Sequence, residues 1–148
     1  MLGDTTFNLE RFEEAQTEAF HQAISELRAG RKSGHWMWFT FPQLRGLGRS
    51  EAAMFYGIHS IDEAQAYLGH PVLGPRLRQM TEAAIAAPAA SLHSLFGFPD
   101  DMKFCSSMTL FSIASPDPRN VFTQALERWC NGKRDAETCR LLESERPG

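Results

Sequence analysis

Apolar residues recur every three or four positions along most of this chain, and that spacing is typical of amphipathic helices. The first such run follows Asn8, a residue type preferred at helix N-termini, and stops at Gly30, a type common just past helix C-termini. Phe7 and Phe12 have the spacing of a hydrophobic staple around Asn8. The pattern therefore predicts a long first helix between Asn8 and Gly30, with an apolar stripe of Phe12, Ala15, Ala19, Ala23 and Leu27.

The rest of the chain shows repeated helix-start signals, which are capping residues or first-turn prolines followed by short apolar runs. The predicted starts lie at Ser50, Ser60, Pro71 or Pro75, Leu92, Pro99-Asp100, Asp117-Pro118 and Asp135. The connectors are short, and there are no repeats or long linkers. The sequence therefore predicts an all-α or mostly α fold of about seven or eight helices. We expect one irregular domain over residues 1–148, with an ordered core at about 7–142.

Residues 35–41 do not fit a single secondary structure. Trp36 and Trp38 alternate with other apolar residues, as in a short extended segment, but both faces are apolar, which fits a buried helical turn as well. Pro42 disfavours a helical backbone at Phe41 and ends whichever element precedes it. We expect this aromatic stretch to belong to the core around which the helices pack.

The composition indicates a folded domain and argues against nucleic acid or membrane as a partner. Of 148 residues, 43% are hydrophobic and 22% charged, and the net charge is −3. The N-terminal residues lack the features of a signal peptide, and no apolar run is long enough to span a membrane. Together with the three cysteines, which cannot all pair, this predicts a cytoplasmic protein. Cys105, Cys130 and Cys139 are expected to be reduced and to act as small buried side chains.

One segment combines groups that suit a small anionic ligand. These residues are Gln43, Arg45, Gly46, Gly48, Arg49 and Ser50. The glycines permit a tight loop, the serine precedes a helix whose first N–H groups are free, and the arginines add positive charge. The segment is not a Walker loop, and Glu51 occupies the position of the last glycine of a dinucleotide-binding motif. A glycine turn followed by an ordinary serine cap explains the same residues without a ligand.

Two neighbouring segments offer side chains to the same pocket. His35 is the candidate general acid or base, although it could equally bond a backbone carbonyl. Trp36 or Trp38 could stack on a planar ligand. The second segment contributes Lys103, Ser106 and Ser107. Serines inside a helix are unusual unless their hydroxyls are bonded, but close helix packing by small residues is the alternative.

Seven segments, in order from Phe7 to about Leu142, share the pattern of one family. They are Phe7-Asn8-Leu9-x-Arg11-Phe12, Gly30-Arg31-Lys32, His35-Trp36-Met37-Trp38-Phe39, Phe41-Pro42-Gln43, Gly46-Leu47-Gly48-x-Ser50, Tyr67-Leu68-x-His70-Pro71-Val72-Leu73-Gly74 and Ser106-Ser107-Met108-Thr109-Leu110-Phe111. On these segments the chain resembles the bacterial family called domain of unknown function 1810.

The resemblance implies a mostly helical single domain with no assigned activity, so no catalytic residue is carried over. Members of the family are sometimes labelled calpastatin. Calpastatins are disordered, however, and the apolar content of this chain predicts a folded core. Cys105 is a departure, because the resemblance leads us to expect a basic or other polar residue there.

Two hypotheses follow. The first is an enzyme or sensor that binds a small anionic or nucleotide-like ligand, for example an ADP-ribose-like molecule, in a pocket near residues 35–50 and 103–107. The second is a non-catalytic protein-interaction or regulatory module in which the same residues are structural. The histidines and cysteines lack metal-ligand spacing, so no metal site is predicted. The sequence identifies no cofactor, does not decide whether the protein is an enzyme, and leaves the oligomeric state open.

Overall fold

The computed structural model describes residues 7–144, and within that range it contains nine α-helices and no strand. The helices are α1 (Glu10–Ala29), α2 (Met37–Thr40), α3 (Glu51–Tyr56), α4 (Ile61–Gly69), α5 (Leu73–Ala86), α6 (Leu92–Phe96), α7 (Asp100–Ala114), α8 (Val121–Trp129) and α9 (Ala136–Ser144). The prediction of an all-α fold is confirmed. None of the described helices is long and apolar enough to cross a membrane.

Helix α7 forms the centre of the hydrophobic core. Its residues Ser106–Ser112 are all buried, and it packs against α4, α6, α8 and α9. The polar side chains of a helix covered on every side depend on hydrogen-bond partners within the protein. Ser106 and Thr109 donate to the carbonyls of Met102 and Cys105, at 3.1 and 2.8 Å. The apolar residues of α1, α4, α5 and α8 complete the core around it.

Residues 35–41 contain a helical turn, which decides between the two alternatives that the sequence left open there. The backbone N–H groups of Thr40 and Phe41 donate to the carbonyls of Trp36 and Met37, at 3.2 and 3.0 Å. Met37 and Thr40 face the core. A single turn buries apolar side chains on several sides while bonding its own backbone, which an isolated extended segment could not do.

The predicted helix starts are confirmed at three polar caps and wrong at two positions. Ser50, Ser60 and Asp135 each accept a hydrogen bond from the backbone N–H three residues later. Asn8, by contrast, lies outside α1 with a φ of +52°, and Leu9 occupies the N-cap position. Helix α8 is capped by Asn120 rather than begun at Asp117-Pro118, because the Asn120 side chain accepts from the N–H of Thr123 at 2.8 Å.

The prediction of three reduced cysteines is also wrong. Cys105 in α7 and Cys130 at the end of α8 form a disulfide with a Cα–Cα distance of 6.1 Å, and Cys139 is free. The two residues are separated by 25 positions, so the bond closes the α7–α8 connection. Packing of α8 on α7 brings the two cysteines together, and no local sequence signal indicates this pairing. The cysteines therefore no longer support a reducing compartment.

Candidate functional site

The segment that follows the aromatic stretch is held against the chain that enters α4. Leu44 and Ile58 form a parallel bridge, in which Arg45 N–H donates to Ile58 O at 2.8 Å and Ile58 N–H donates to Gln43 O at 2.9 Å. Gly57 permits this approach, because a Cβ there would lie 2.9 Å from the Cα of Arg45. The bridge fixes Gln43 and Arg45 on either side of the buried Leu44.

A cleft lies where α2, α3 and the beginning of α7 meet. Its lining residues are Met37, Trp38, Phe41, Gln43, Ala53, Tyr56, Gly57 and Lys103. The space is small, about 10 Å³, which is enough for the centre of roughly one water molecule. The cleft combines aromatic rings with an amide, a phenol and an ammonium group, and these are the group types that orient small ligands.

Lys103 borders this cleft and lies over an aromatic ring. Its Nζ is 4.6 Å from the centroid of the Trp38 ring and 3.4 Å from Oδ1 of Asp100. The other oxygen of Asp100 pairs with Nζ of Lys32 at 2.8 Å. One carboxylate therefore serves two lysines, and this cluster keeps one unbalanced positive charge. The aromatic face of Trp38 holds the Lys103 ammonium group through a cation–π contact, and the net positive charge raises the local concentration of anions.

Of the predicted site residues, Gln43, Lys103 and the alternative stacking residue Trp38 line the cleft. His35 is exposed, lies outside the lining and makes no side-chain hydrogen bond to any described residue. Arg49 is likewise exposed and outside it. Arg45 points into a different concavity, where its Nη1 lies 2.7 Å from Nε2 of His59. The predicted site is thus divided between two places in the fold.

The glycine loop does not present free N–H groups in the way that an anion loop would. The hydroxyl oxygen of Ser50 accepts a hydrogen bond from the backbone N–H of Ala53 at 3.1 Å, so this N–H is not free for a ligand. Helix α3 also has only six residues. Gly46 is exposed with a φ of +107°, which accounts for a glycine at this turn. Gly48 packs on α3, since a Cβ there would lie 2.8 Å from that of Ala53. These residues shape the turn that carries Gln43.

Trp36 is a core residue, not a stacking platform. It is 1% exposed, and its indole N–H donates to Oε1 of Glu26 at 2.9 Å. The same carboxylate accepts from the N–H groups of Ser33 and Gly34 and from the side chain of Gln22. Burial alone would raise the pKa of Glu26, but these four hydrogen bonds lower it from 4.5 to about 2. Glu26 therefore anchors the connection between α1 and α2.

The two serines of α7 do not line the cleft. Ser106 is 7% exposed and bonds within its own helix. Ser107 is fully buried, and its hydroxyl has no hydrogen-bond partner among the described residues. The close packing of α7 against α4 and α8 explains why both positions carry small side chains.

Two aromatic residues shape the cleft together with Lys103. Trp38, one of the two tryptophans predicted to stack on a ligand, and Tyr56 both line it. The contact between Lys103 and Asp100 follows the three-residue spacing of one helical turn and is readable from the sequence. The approach of Trp38 to the same lysine has no sequence signal, because the two positions are far apart in the chain.

Fold and cleft together define an all-α protein with an aromatic core and a small, largely apolar cleft bordered by Gln43, Tyr56 and Lys103. The chain belongs to the family described as Protein of unknown function (DUF1810), whose model matches residues 6–142. Its fold is similar to that of the conserved hypothetical protein Rv1873 from Mycobacterium tuberculosis, with a TM-score of 0.89 and 50% sequence identity. That alignment covers 93% of this chain and 97% of the other. No curated protein matches the chain.

The sequence resemblance to this family is confirmed. Neither the family description nor the name of the similar protein states an activity. Among the described residues, no group of three or more histidine, cysteine, aspartate or glutamate side chains is placed to hold a metal ion. Any assignment of function therefore depends on the geometry of the chain itself.

Proposed function

We propose that this protein binds a small anionic, nucleotide-like ligand in the cleft between α2, α3 and α7. The observation that carries the proposal is the meeting of Gln43, Tyr56 and Lys103, from three separate segments, beside the ring of Trp38. A planar group would stack on Trp38, the Gln43 amide would bond its edge, and Lys103 would pair with the negative charge.

Binding requires the cleft to open, because its present space of about 10 Å³ holds roughly one water molecule. Lys103 is the side chain to move. It lies over Trp38 at 4.6 Å and is 21% exposed, so it can turn towards solvent without leaving a buried charge. A ligand ring would then replace the ammonium group on the indole, while Asp100 stays paired with Lys32.

A thermal-shift screen of nucleoside mono- and diphosphates, ADP-ribose and inorganic phosphate tests the proposal. A ligand at about 100 times its dissociation constant should stabilise the protein by roughly 2.7 kcal/mol. Lys103→Met should abolish most of the shift. Lys133→Met is the matched control, since Lys133 is exposed in the α8–α9 connection. Equal behaviour of the two variants, or no shift with any compound, would contradict ligand binding in the cleft.

A non-catalytic interaction module is the second candidate, favoured by exposed apolar side chains near the start of α7. Phe98 and Met102 are 72% and 59% exposed. Exposed apolar side chains mark a contact surface when they form one patch, and these two lie four positions apart in the chain. If these side chains serve self-association, sedimentation velocity should show a dimer whose fraction rises with protein concentration. The double variant Phe98→Ser/Met102→Ser should then be monomeric and keep the wild-type melting temperature. A monomer at every concentration would rule out a second copy of this chain as the partner.

A further inference from the structure

A second concavity of the protein shares no lining residue with the cleft. It is an open groove of about 370 Å³, within the size range of small-molecule sites. Its lining residues are Asn8, Arg11, Arg45, Met54, Phe55 and His59. The groove therefore combines basic groups with two large apolar side chains, Met54 and Phe55, which are 48% and 55% exposed.

Arg11 belongs to the scaffold of this groove, since its five N–H donors are all used. Nε donates to the carbonyl of Phe55 at 2.7 Å, and Nη2 pairs with Oε2 of Glu63 at 2.8 Å. The remaining donors bond the carbonyls of Phe7, Asn8 and Gly57. A guanidinium has no further hydrogen to offer a ligand. Arg11 and the fully buried Glu63 thus form a rigid floor between α1 and α4.

Glu63 also fixes the orientation of His59. Its Oε1 accepts from the backbone N–H of His59 at 2.8 Å and lies 3.1 Å from Nδ1 of the same residue. Because a carboxylate only accepts, Nδ1 carries the hydrogen. On the other side of the ring, Nε2 lies 2.7 Å from Nη1 of Arg45. A guanidinium only donates, so Nε2 is the acceptor, and the tautomer of His59 is determined by its two neighbours.

The charged groups around His59 leave this groove positive. Glu63 of α4 contacts the His59 ring from beneath the groove, Arg11 of α1 and Arg45 line the groove, and α3 contributes the uncharged Met54 and Phe55. The single carboxylate is already paired with Arg11. Arg45 forms no salt bridge with any residue from 7 to 144, and its side chain is exposed. An incoming anion therefore meets a guanidinium with no competing carboxylate.

We propose that Arg45 and His59 form a binding site for the phosphate group of a small organic phosphomonoester. The phosphate takes the Arg45 guanidinium away from Nε2, and Arg45 then donates to the phosphate oxygens. His59 takes up one proton at Nε2 and donates it in a hydrogen bond to the same phosphate, while Glu63 keeps Nδ1–H in place. The proton comes from the hydroxyl of a monoanionic phosphate, or from solvent when the ligand is a dianion.

The apolar rim determines which phosphate suits the site. Phe55 and Met54 offer large exposed surfaces beside the charged groups, and burying them against a ligand is favourable. Inorganic phosphate would use only Arg45 and His59. An aromatic phosphomonoester would also cover the ring of Phe55, so we expect it to bind more tightly than inorganic phosphate.

Isothermal titration with phenyl phosphate tests this site, run at pH 7.5 in two buffers of different ionisation enthalpy. The buffer dependence of the heat should reveal proton uptake on binding, and affinity should fall as pH rises from 6 to 8. Arg45→Gln should weaken binding at least tenfold. His59→Gln should abolish the proton uptake and flatten the pH dependence. Arg49→Gln is the control, because Arg49 is exposed on the same loop but outside the groove.

Several outcomes would overturn the assignment, provided that the variants keep the wild-type melting temperature. Equal losses in the Arg45 and Arg49 variants would show a general charge effect. If His59→Gln took up the same number of protons on binding, His59 would not be the group that accepts the proton. If inorganic phosphate bound as tightly as phenyl phosphate, Phe55 and Met54 would make no contribution to binding. If the protein bound phosphatidic acid vesicles but not phenyl phosphate, the ligand of this groove would be a membrane surface and not a small molecule. Lys103→Met should leave this titration unchanged, so the groove and the cleft are tested separately.

Discussion

Replacing Glu26 by glutamine should show how one carboxylate holds the connection between α1 and α2. Oε1 of Glu26 accepts from the N–H groups of Ser33, Gly34 and the Trp36 indole, at 2.7, 2.9 and 2.9 Å. Glutamine keeps one acceptor oxygen for these donors but loses the charge. Its new amide group faces the Gln22 amide, which now donates to Oε2 at 2.7 Å. The variant therefore weakens every hydrogen bond while changing the volume little.

The size of the effect follows from the lowered pKa of Glu26. A fall from 4.5 to about 2 corresponds to about 3 kcal/mol at 1.36 kcal/mol per unit. The carboxylate is partly exposed, so solvent screening reduces this figure, and we expect a loss of about 1–2 kcal/mol in the free energy of unfolding at pH 7. This matches the value of one or two hydrogen bonds to a charged acceptor, not the sum of four.

The pH dependence has a definite sign. A carboxyl whose folded pKa is lowered stabilises the protein fully above its unfolded value of 4.5, and this contribution disappears as pH falls to about 2. Urea unfolding of wild type and Glu26→Gln, followed by circular dichroism between pH 7 and 2.5, should show a difference that shrinks below pH 4.5. Glu18→Gln, on the exposed surface of the same helix, is the control. A difference that stays constant down to pH 3 would refute the reasoning.

Three other perturbations test the packing, the capping and the covalent link. Gly74→Ala should cost about 3 kcal/mol by urea unfolding, because a Cβ there would lie 2.2 Å from the carbonyl oxygen of Leu68; a neutral effect would show that α4 can move away. Ser50→Ala should cost about 1 kcal/mol through loss of the α3 cap, and Ser50→Gly should recover part of it. Cys105→Ser should lower stability by roughly 3 kcal/mol, as expected for a bond to Cys130 across 25 positions. Dithiothreitol should then destabilise the wild type but not the variant.

The candidate ligand sites were only partly accessible to sequence reasoning. A basic, glycine-containing segment with nearby aromatics led to the prediction of a pocket, and two of its predicted residues, Gln43 and Lys103, line one cleft. The same reasoning grouped Arg45 with them, whereas the bridge at Leu44 directs Arg45 towards His59 instead. Residues that are neighbours in a loop reach different surfaces when the loop backbone is fixed between two helices.

The sequence by itself determined the helical fold and most of its boundaries. Serine and aspartate caps, glycine stops and the three-to-four-residue apolar spacing are local features, and the energy of a cap or a turn depends on residues within about one turn of it. The starts of α3, α4 and α9 were therefore predicted, as was the end of α1 at Gly30, where φ is +82°.

Tertiary structure alone decided the contacts between residues far apart in the chain. The pair of Arg11 and Glu63 spans 52 positions, and the disulfide spans 25. The different surroundings of the two tryptophans also depend on such contacts, since Trp36 is buried against Glu26 while Trp38 lies under Lys103. The energy of such contacts depends on how helices pack, and helix packing is set by the whole core at once. No pattern within one helix can specify it.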